Sequence, residues 1–170
     1  MNDISALLYR GRPQWVTDEL LAGLVSESQA LRPQAQVGER QFYRRGGDAA
    51  AAVAFSAELR GLVEQHVKPA APTHFCDYLY YDREGDGIDP HVDTEEFPLN
   101  VLMMLVHEGE ERSSNLVLFP SGGPETATPV PLRPGELVLF RANEIIHARS
   151  RLAAGERVHL LTFGFRRAAA

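Results

Sequence analysis

Cysteine is almost absent: Cys76 is the single one in 170 residues. No intrachain disulfide can form, so the chain must rest on its own apolar core, which a domain of this length can build. Long apolar runs are missing too. No stretch approaches the roughly 20 residues of a membrane span, and Met1 to Leu8 has neither the charged start nor the apolar run of a secretory signal. A cytoplasmic protein without a membrane partner is expected. Basic charge is also short, with 17 Lys and Arg against 23 Asp and Glu and a formal charge of −6. That balance opposes phosphate neutralisation and argues against a nucleic-acid partner. Arg44-Arg45 and Arg166-Arg167 read as solvated surface.

What is present divides in two. Residues 1–70 read as a helical support region. Thr17 can cap a helix whose first turn carries Asp18 and Glu19, with Leu20, Leu21, Leu24, Val25 and Ser28 on one face, and Arg32-Pro33 ends it. After a short strand within Val37 to Arg44, Asp48 is expected to cap a second helix, Ala49 to Val67, stopped by Lys68-Pro69. Residues 71–167 read as strands: Thr73 to Tyr81, Leu99 to Val106, Asn115 to Pro120, Glu136 to Arg141, Ile145 to Arg151 and Glu156 to Phe165. Leu99 to Val106 is a nearly continuous apolar run, as for a strand covered on both faces. Ser121 to Pro134 reads as a loop, too rich in Pro and Gly for a packed element. Helices followed by strands predict a single α+β domain, mainly β, over residues 1–170.

The chemistry concentrates at Ile88-Asp-Pro-His-Val-Asp-Thr94. His91 and Asp93 are two apart in an extended segment, so an imidazole and a carboxylate should share a face. They supply two thirds of the 2-His-1-carboxylate set that holds non-haem Fe(II) with open positions. His147, after the apolar strand ending at Arg141, is the candidate third ligand, and Arg157 follows ten residues later. In that order, His91-x-Asp93, His147 and Arg157 resemble the Fe(II)/2-oxoglutarate-dependent dioxygenases, and most of all their prolyl-hydroxylase-like branch. The resemblance covers Thr73 to Arg166.

The resemblance implies a double-stranded β-helix, or jelly-roll, barrel with the N-terminal helices packed on its larger sheet. It implies Fe(II) on His91, Asp93 and His147, and 2-oxoglutarate as co-substrate with its 5-carboxylate on Arg157. Dioxygen would be the oxidant and ascorbate a stimulant. The implied reaction is hydroxylation of an unactivated C–H bond with release of succinate and CO2. The carboxylate of Asp93 favours hydroxylation over halogenation, since related halogenases carry a small residue there. Tyr81, ten residues before His91, matches a tyrosine that relatives aim at 2-oxoglutarate, with Tyr78 and Tyr80 as competitors. The second tyrosine that several relatives carry on the next strand is replaced here by Val101-Leu-Met-Met-Leu105.

His159 alternates with Arg157 and is expected to point into the same barrel, as a co-substrate contact or a core histidine; Thr162 should then face away. Arg149 shares the parity of His147 and can receive an acidic substrate group, against the ordinary reading of an exposed arginine. Cys76 has no basic cluster to activate it, His66 reads as a helix-end histidine, and His74 and His107 read as structural or surface residues. The favoured substrate is a small molecule or free amino acid. A peptidyl or protein hydroxylase and a non-catalytic metal-binding sensor are the alternatives. An alkylation-repair enzyme is disfavoured, because Arg157-Val-His-Leu-Leu-Thr-Phe163 lacks the Asn and second Arg of that branch.

Overall fold

The computed structural model describes residues 6–39 and 41–168. In chain order the elements are β1 (Leu7–Gly11), α1 (Asp18–Leu31), β2 (Gln36–Val37), β3 (Phe42–Arg45), α2 (Asp48–Ala54), α3 (Ala57–Glu64), β4 (Ala70–Tyr81), β5 (Ile88–His91), β6 (Leu99–Glu108), β7 (Leu116–Phe119), β8 (Thr128–Val130), β9 (Leu137–Arg141), β10 (Ile146–Arg149) and β11 (Arg157–Arg167). The strands form two antiparallel sheets, one in the order β1-β9-β6-β11-β4-β3-β2 and one in the order β5-β10-β7-β8. From β4 onward the chain alternates between the sheets, except for the step from β7 to β8. This is the double-stranded β-helix expected from the sequence, with its helices on the larger sheet.

Two apolar layers follow from this arrangement. Leu24 of α1, Val53 of α2 and Leu59 and Val63 of α3 pack on Tyr78, Tyr80, Leu161, Phe163 and Phe165 of the larger sheet. Tyr81, Leu102, Met104, Leu116, Leu118, Val138, Phe140, Val158 and Leu160 fill the space between the sheets. β6 and β11 therefore bury both of their faces, which is why their sequences run apolar without alternation. Among the described residues no helix is long and apolar enough to cross a membrane.

Thr17 caps α1 by accepting from Leu20 N at 3.2 Å, and the helix stops before Arg32. The helix expected over Ala49 to Val67 is instead broken at Phe55, and Ser56 opens α3 by accepting from Leu59 N at 3.1 Å. Asp48 does not cap α2. Glu27 of α1 does so from outside, accepting from the backbone N–H groups of Gly47 (3.1 Å), Ala49 (2.7 Å) and Ala50 (3.1 Å) and from the Tyr78 hydroxyl (2.7 Å). A carboxylate at the positive end of a neighbouring helix thus ties α1, α2 and β4 together. Two further departures are the edge strand β1, unforeseen in the sequence, and β8, a three-residue strand on β7 within the segment expected to be loop.

Glu27 carries a prediction. Burial opposes its ionisation, but the backbone and Tyr78 hydrogen bonds outweigh this and lower its pKa. Glu27→Gln should destabilise the protein by about 1.5–3 kcal/mol near neutral pH, the usual range for hydrogen bonds to a charged group. Because the folded-state pKa is the lower one, the gap to wild type should hold above the unfolded carboxylate value of about 4.3 and close as pH falls through the folded value. Urea unfolding of both proteins across that range measures it; an equal stability at neutral pH would refute the bridging role.

Candidate metal centre and its cavity

His91 ends β5 and stands directly opposite His147 of β10 in the ladder, which brings the two rings to 4.3 Å between centroids. Asp93 lies beyond the end of β5, two residues past His91. It is fixed not by strand pairing but by its N–H donating to the Ala142 carbonyl at 2.9 Å. The expected convergence is therefore produced by a strand end and a backbone tether. One ligand atom from each of His91, Asp93 and His147 lies within 4.8 Å of the others.

The tautomers favour a cation. His91 Nδ1 donates to the Asp89 carbonyl at 2.8 Å and His147 Nδ1 to the Ile145 carbonyl at 3.1 Å. In the neutral rings both Nε2 lone pairs then face Asp93 Oδ1, at 3.4 and 3.5 Å. Three lone pairs converging without a proton between them repel, and a divalent metal relieves this. The other Asp93 oxygen, Oδ2, accepts from Asn100 Nδ2 at 2.9 Å, and Asn100 Oδ1 accepts from the Thr162 hydroxyl at 2.8 Å. Phe140 meets His147 edge-on at 4.9 Å. The donor set and its supports fit an Fe(II)-type facial site.

Burial opposes ionisation of Asp93, yet the hydrogen bonds it can accept from the His147 and His91 rings in their protonated forms, with the one from Asn100, hold its carboxyl far below the usual range. The same hydrogen bond to Asp93 raises the pKa of His91 against the effect of burial. Protons therefore compete with metal at His91 up to a higher pH than at an ordinary histidine of about 6.5. Metal affinity should be flat above the His91 pKa and fall as pH drops through it. Chelator competition between about pH 5 and 8 tests this, because histidine is the side chain that titrates there. A constant affinity over that range would refute it.

The triad opens into a cavity of about 280 Å³ between the sheets, also lined by Tyr81, Leu102, Leu116, Arg149, Leu160 and Thr162, with Gln41, Tyr43, Phe75, Asp77 and Phe97 farther along it. Arg149 reverses the expectation of an exposed side chain: it is only 4 % exposed. Its Nη1 donates to the carbonyl and hydroxyl oxygens of Ser114, both at 3.2 Å, and its guanidinium lies 5.3 Å from the Tyr81 ring centre. Among the described residues no carboxylate pairs with it. Ser114 is held in turn by Glu156, which accepts from Ser114 N at 2.8 Å and contacts His107 Nε2 at 2.7 Å. His107 is thus a buried structural residue.

Arg157 and His159 are corrections. Arg157 is partly exposed and donates to Glu108 at 2.7 Å on the outside of the barrel, away from the cavity. His159 points to the helix side, where Nε2 meets Asp82 Oδ1 at 2.9 Å and the ring lies edge-on to Tyr80. The reason is parity: Val158, Leu160 and Thr162 face the space between the sheets, so Arg157, His159 and Leu161 face away. Thr162 consequently faces in, opposite to expectation. Tyr81 lines the cavity, whereas Tyr78 and Tyr80 donate toward α1, to Glu27 at 2.7 Å and to the Ser28 carbonyl at 2.8 Å. Cys76 is buried, and burial pushes its thiol up to about 12. Asn100 escaped notice in the sequence, although it is the one polar residue in Leu99 to Val106. That isolation was the available signal.

No protein-family model matches the chain, and no curated protein matches it in sequence. Solved structures do match. The non-haem α-ketoglutarate-dependent epimerase SnoN from nogalamycin biosynthesis superposes with a TM-score of 0.77 at 18% identity, over 94% of this chain and 78% of that one. A prolyl-4-hydroxylase from Pseudomonas putida gives 0.69 at 17% identity over 99% and 97%. HygX from Streptomyces hygroscopicus, with nickel, 2-oxoglutarate and hygromycin B bound, gives 0.69 at 15% over 96% and 84%. The chain therefore has the double-stranded β-helix fold of the Fe/2-oxoglutarate-dependent oxygenases.

Proposed function

We propose that this chain is an Fe(II)- and 2-oxoglutarate-dependent oxygenase that hydroxylates a small molecule. The observation that carries it is a buried guanidinium without a carboxylate partner in the same cavity as a convergent His-Asp-His set. A buried charge left unpaired is costly, and an incoming carboxylate removes that cost while gaining a charge-assisted, bidentate pair. A dicarboxylate with one end on Arg149 and the other toward the triad meets both needs. On this reading Arg149 takes the role that the family resemblance implied for Arg157.

His91 Nε2, Asp93 Oδ1 and His147 Nε2 would hold the iron. When bound, iron supplies the coupling of dioxygen reduction to oxidative decarboxylation of 2-oxoglutarate, giving succinate, CO2 and a hydroxylated product. Asn100 and Thr162 keep Asp93 turned so that one oxygen is committed to a hydrogen bond and the other to the metal. Tyr81, whose phenol is pushed up to about 12 by burial, stays protonated and adds a donor beside Arg149. Leu102, Leu116 and Leu160 keep water from the space between.

A small substrate suits a cavity of this size, and two of the similar structures hold small molecules, nogalamycin RO and hygromycin B. A peptidyl hydroxylase is the second reading. An apolar groove of Pro90, Val92, Phe119, Pro124 and Ile146 beside His91 favours it, together with the likeness to the P. putida prolyl-4-hydroxylase. A cytoplasmic location and action as one catalytic domain belong to the same proposal, in keeping with the buried, unpaired Cys76. Succinate formation from 2-oxoglutarate with Fe(II) and ascorbate, screened over metabolites and proline-containing peptides, is the test. Stimulation by metabolites supports the first reading and stimulation by peptides the second. No succinate from a folded, iron-loaded protein with either set would overturn both.

A further inference from the structure

The cavity carries opposite charges at its two ends. Tyr81 of β4 stands beside Arg149, and four residues back along the same face of β4 stands Asp77, about 13 Å away at the usual rise of a strand. Asp77 lines the cavity and is half-buried, and among the described residues it has no hydrogen-bond or ion-pair partner. It faces Thr162 across the β4–β11 ladder, so their Cβ atoms are about 5 Å apart. Since Thr162 holds Asn100 and Asn100 holds Asp93, two side chains separate Asp77 from the ligand Asp93.

We propose that Asp77 is the carboxylate that recognises the substrate, by receiving a protonated amine or similar cationic group. The proposal rests on the oxygenase reading for what happens next to that group, but not for its binding. The surroundings suit a cation. Phe75 and Phe97 stack face to face at 4.1 Å beside Asp77, and the lack of a side chain at Gly164 makes room, since a Cβ there would fall 2.6 Å from that of Phe97. With Tyr43 on the same wall, three aromatic rings line this end, and aromatic faces attract cations. Burial raises the carboxyl pKa of Asp77, while Arg45 and Arg44 act the other way. Arg45 is its partner in the β3–β4 ladder yet forms no ion pair with it. The anion is thus left for a ligand, whereas the guanidinium at the far end is suited to a carboxylate.

The test is ligand-detected NMR on the Zn(II)-loaded protein with 2-oxoglutarate present. Its probes are small primary amines, the matching alcohols and the matching carboxylic acids on the same carbon skeletons. Wild type should favour the amines, and Asp77→Asn, which keeps the volume, should weaken them at least tenfold. Asp77→Ala serves if the first variant fails to fold. Arg45→Gln should tighten amine binding, and Arg157→Ala should leave the preference as in wild type. The proposal is overturned if wild type shows no amine preference or if that preference survives in Asp77→Asn. Succinate release by the iron-loaded protein is scored separately. Its absence with the amine preference intact sinks the oxygenase reading alone, and the reverse pattern sinks the cation site alone.

Discussion

Arg149→Ala is expected to abolish useful binding of 2-oxoglutarate while leaving metal binding in place. Truncating one partner of a buried charge-assisted pair costs about 2–5 kcal/mol, which at the lower end is already a loss of about thirtyfold in affinity. The triad should be unaffected, because His91, Asp93 and His147 are oriented by Asp89, Ile145, Asn100 and Ala142 rather than by Arg149. Arg149→Lys should recover part of the loss, since it restores charge without the planar fork. Arg157→Ala should leave affinity unchanged, because its exposed pair with Glu108 is worth about 0–1 kcal/mol at most. Thermal denaturation provides the readout. Saturating 2-oxoglutarate at a hundredfold over its Kd stabilises wild type by about 2.7 kcal/mol, and at the same concentration a thirtyfold weaker site leaves less than about 1 kcal/mol of that shift in Arg149→Ala. The assignment fails if Arg149→Ala keeps the shift, and it passes back to Arg157 if Arg157→Ala loses it.

Asp93→Ala should remove both metal retention and turnover. Residues that only support a metal ligand contribute about 10–100-fold in affinity, so loss of the single carboxylate of the set should exceed that range. Asn100→Ala should fall inside it, because Asn100 orients Asp93 Oδ2 without offering a ligand atom to the cluster. Anaerobic Fe(II) titration against a competing chelator measures both. Asp93→Ala should also retain the fold, as its backbone tether to Ala142 does not involve the side chain. Unchanged iron affinity in a folded Asp93→Ala protein would refute the centre. A larger loss in Asn100→Ala than in Asp93→Ala would mean that the metal is held elsewhere.

The strand segments and the spacing of His91, Asp93 and His147 were legible in the chain because they rest on local facts. Apolar runs of strand length are bounded by Gly, Pro and charged turns, and the His-x-Asp spacing marks a pair of ligand types close in the chain, although their convergence also needed the tether from Asp93 N–H to the Ala142 carbonyl. The ends of helices were legible only where the capping group is local. Thr17 is its own signal, whereas the cap of α2 comes from Glu27, about twenty residues away in the chain.

The choice between Arg149 and Arg157 belonged to tertiary structure alone. In a half-buried strand, alternation marks the inner face, but β11 is buried on both: Val158, His159, Leu160 and Leu161 are each at most 3 % exposed. Its sequence therefore holds no cue to which parity meets the barrel and which meets the helices. One residue of register exchanges Arg157 and His159 for Val158, Leu160 and Thr162. The same ambiguity covers Tyr78, Tyr80 and Tyr81 in β4, all of which are buried. What the sequence determined was which residue types could bind a metal and a dicarboxylate. Which arginine reaches the cavity was decided by the packing of helices on one face of the larger sheet, because that packing selects the face of β11 left to line the cavity.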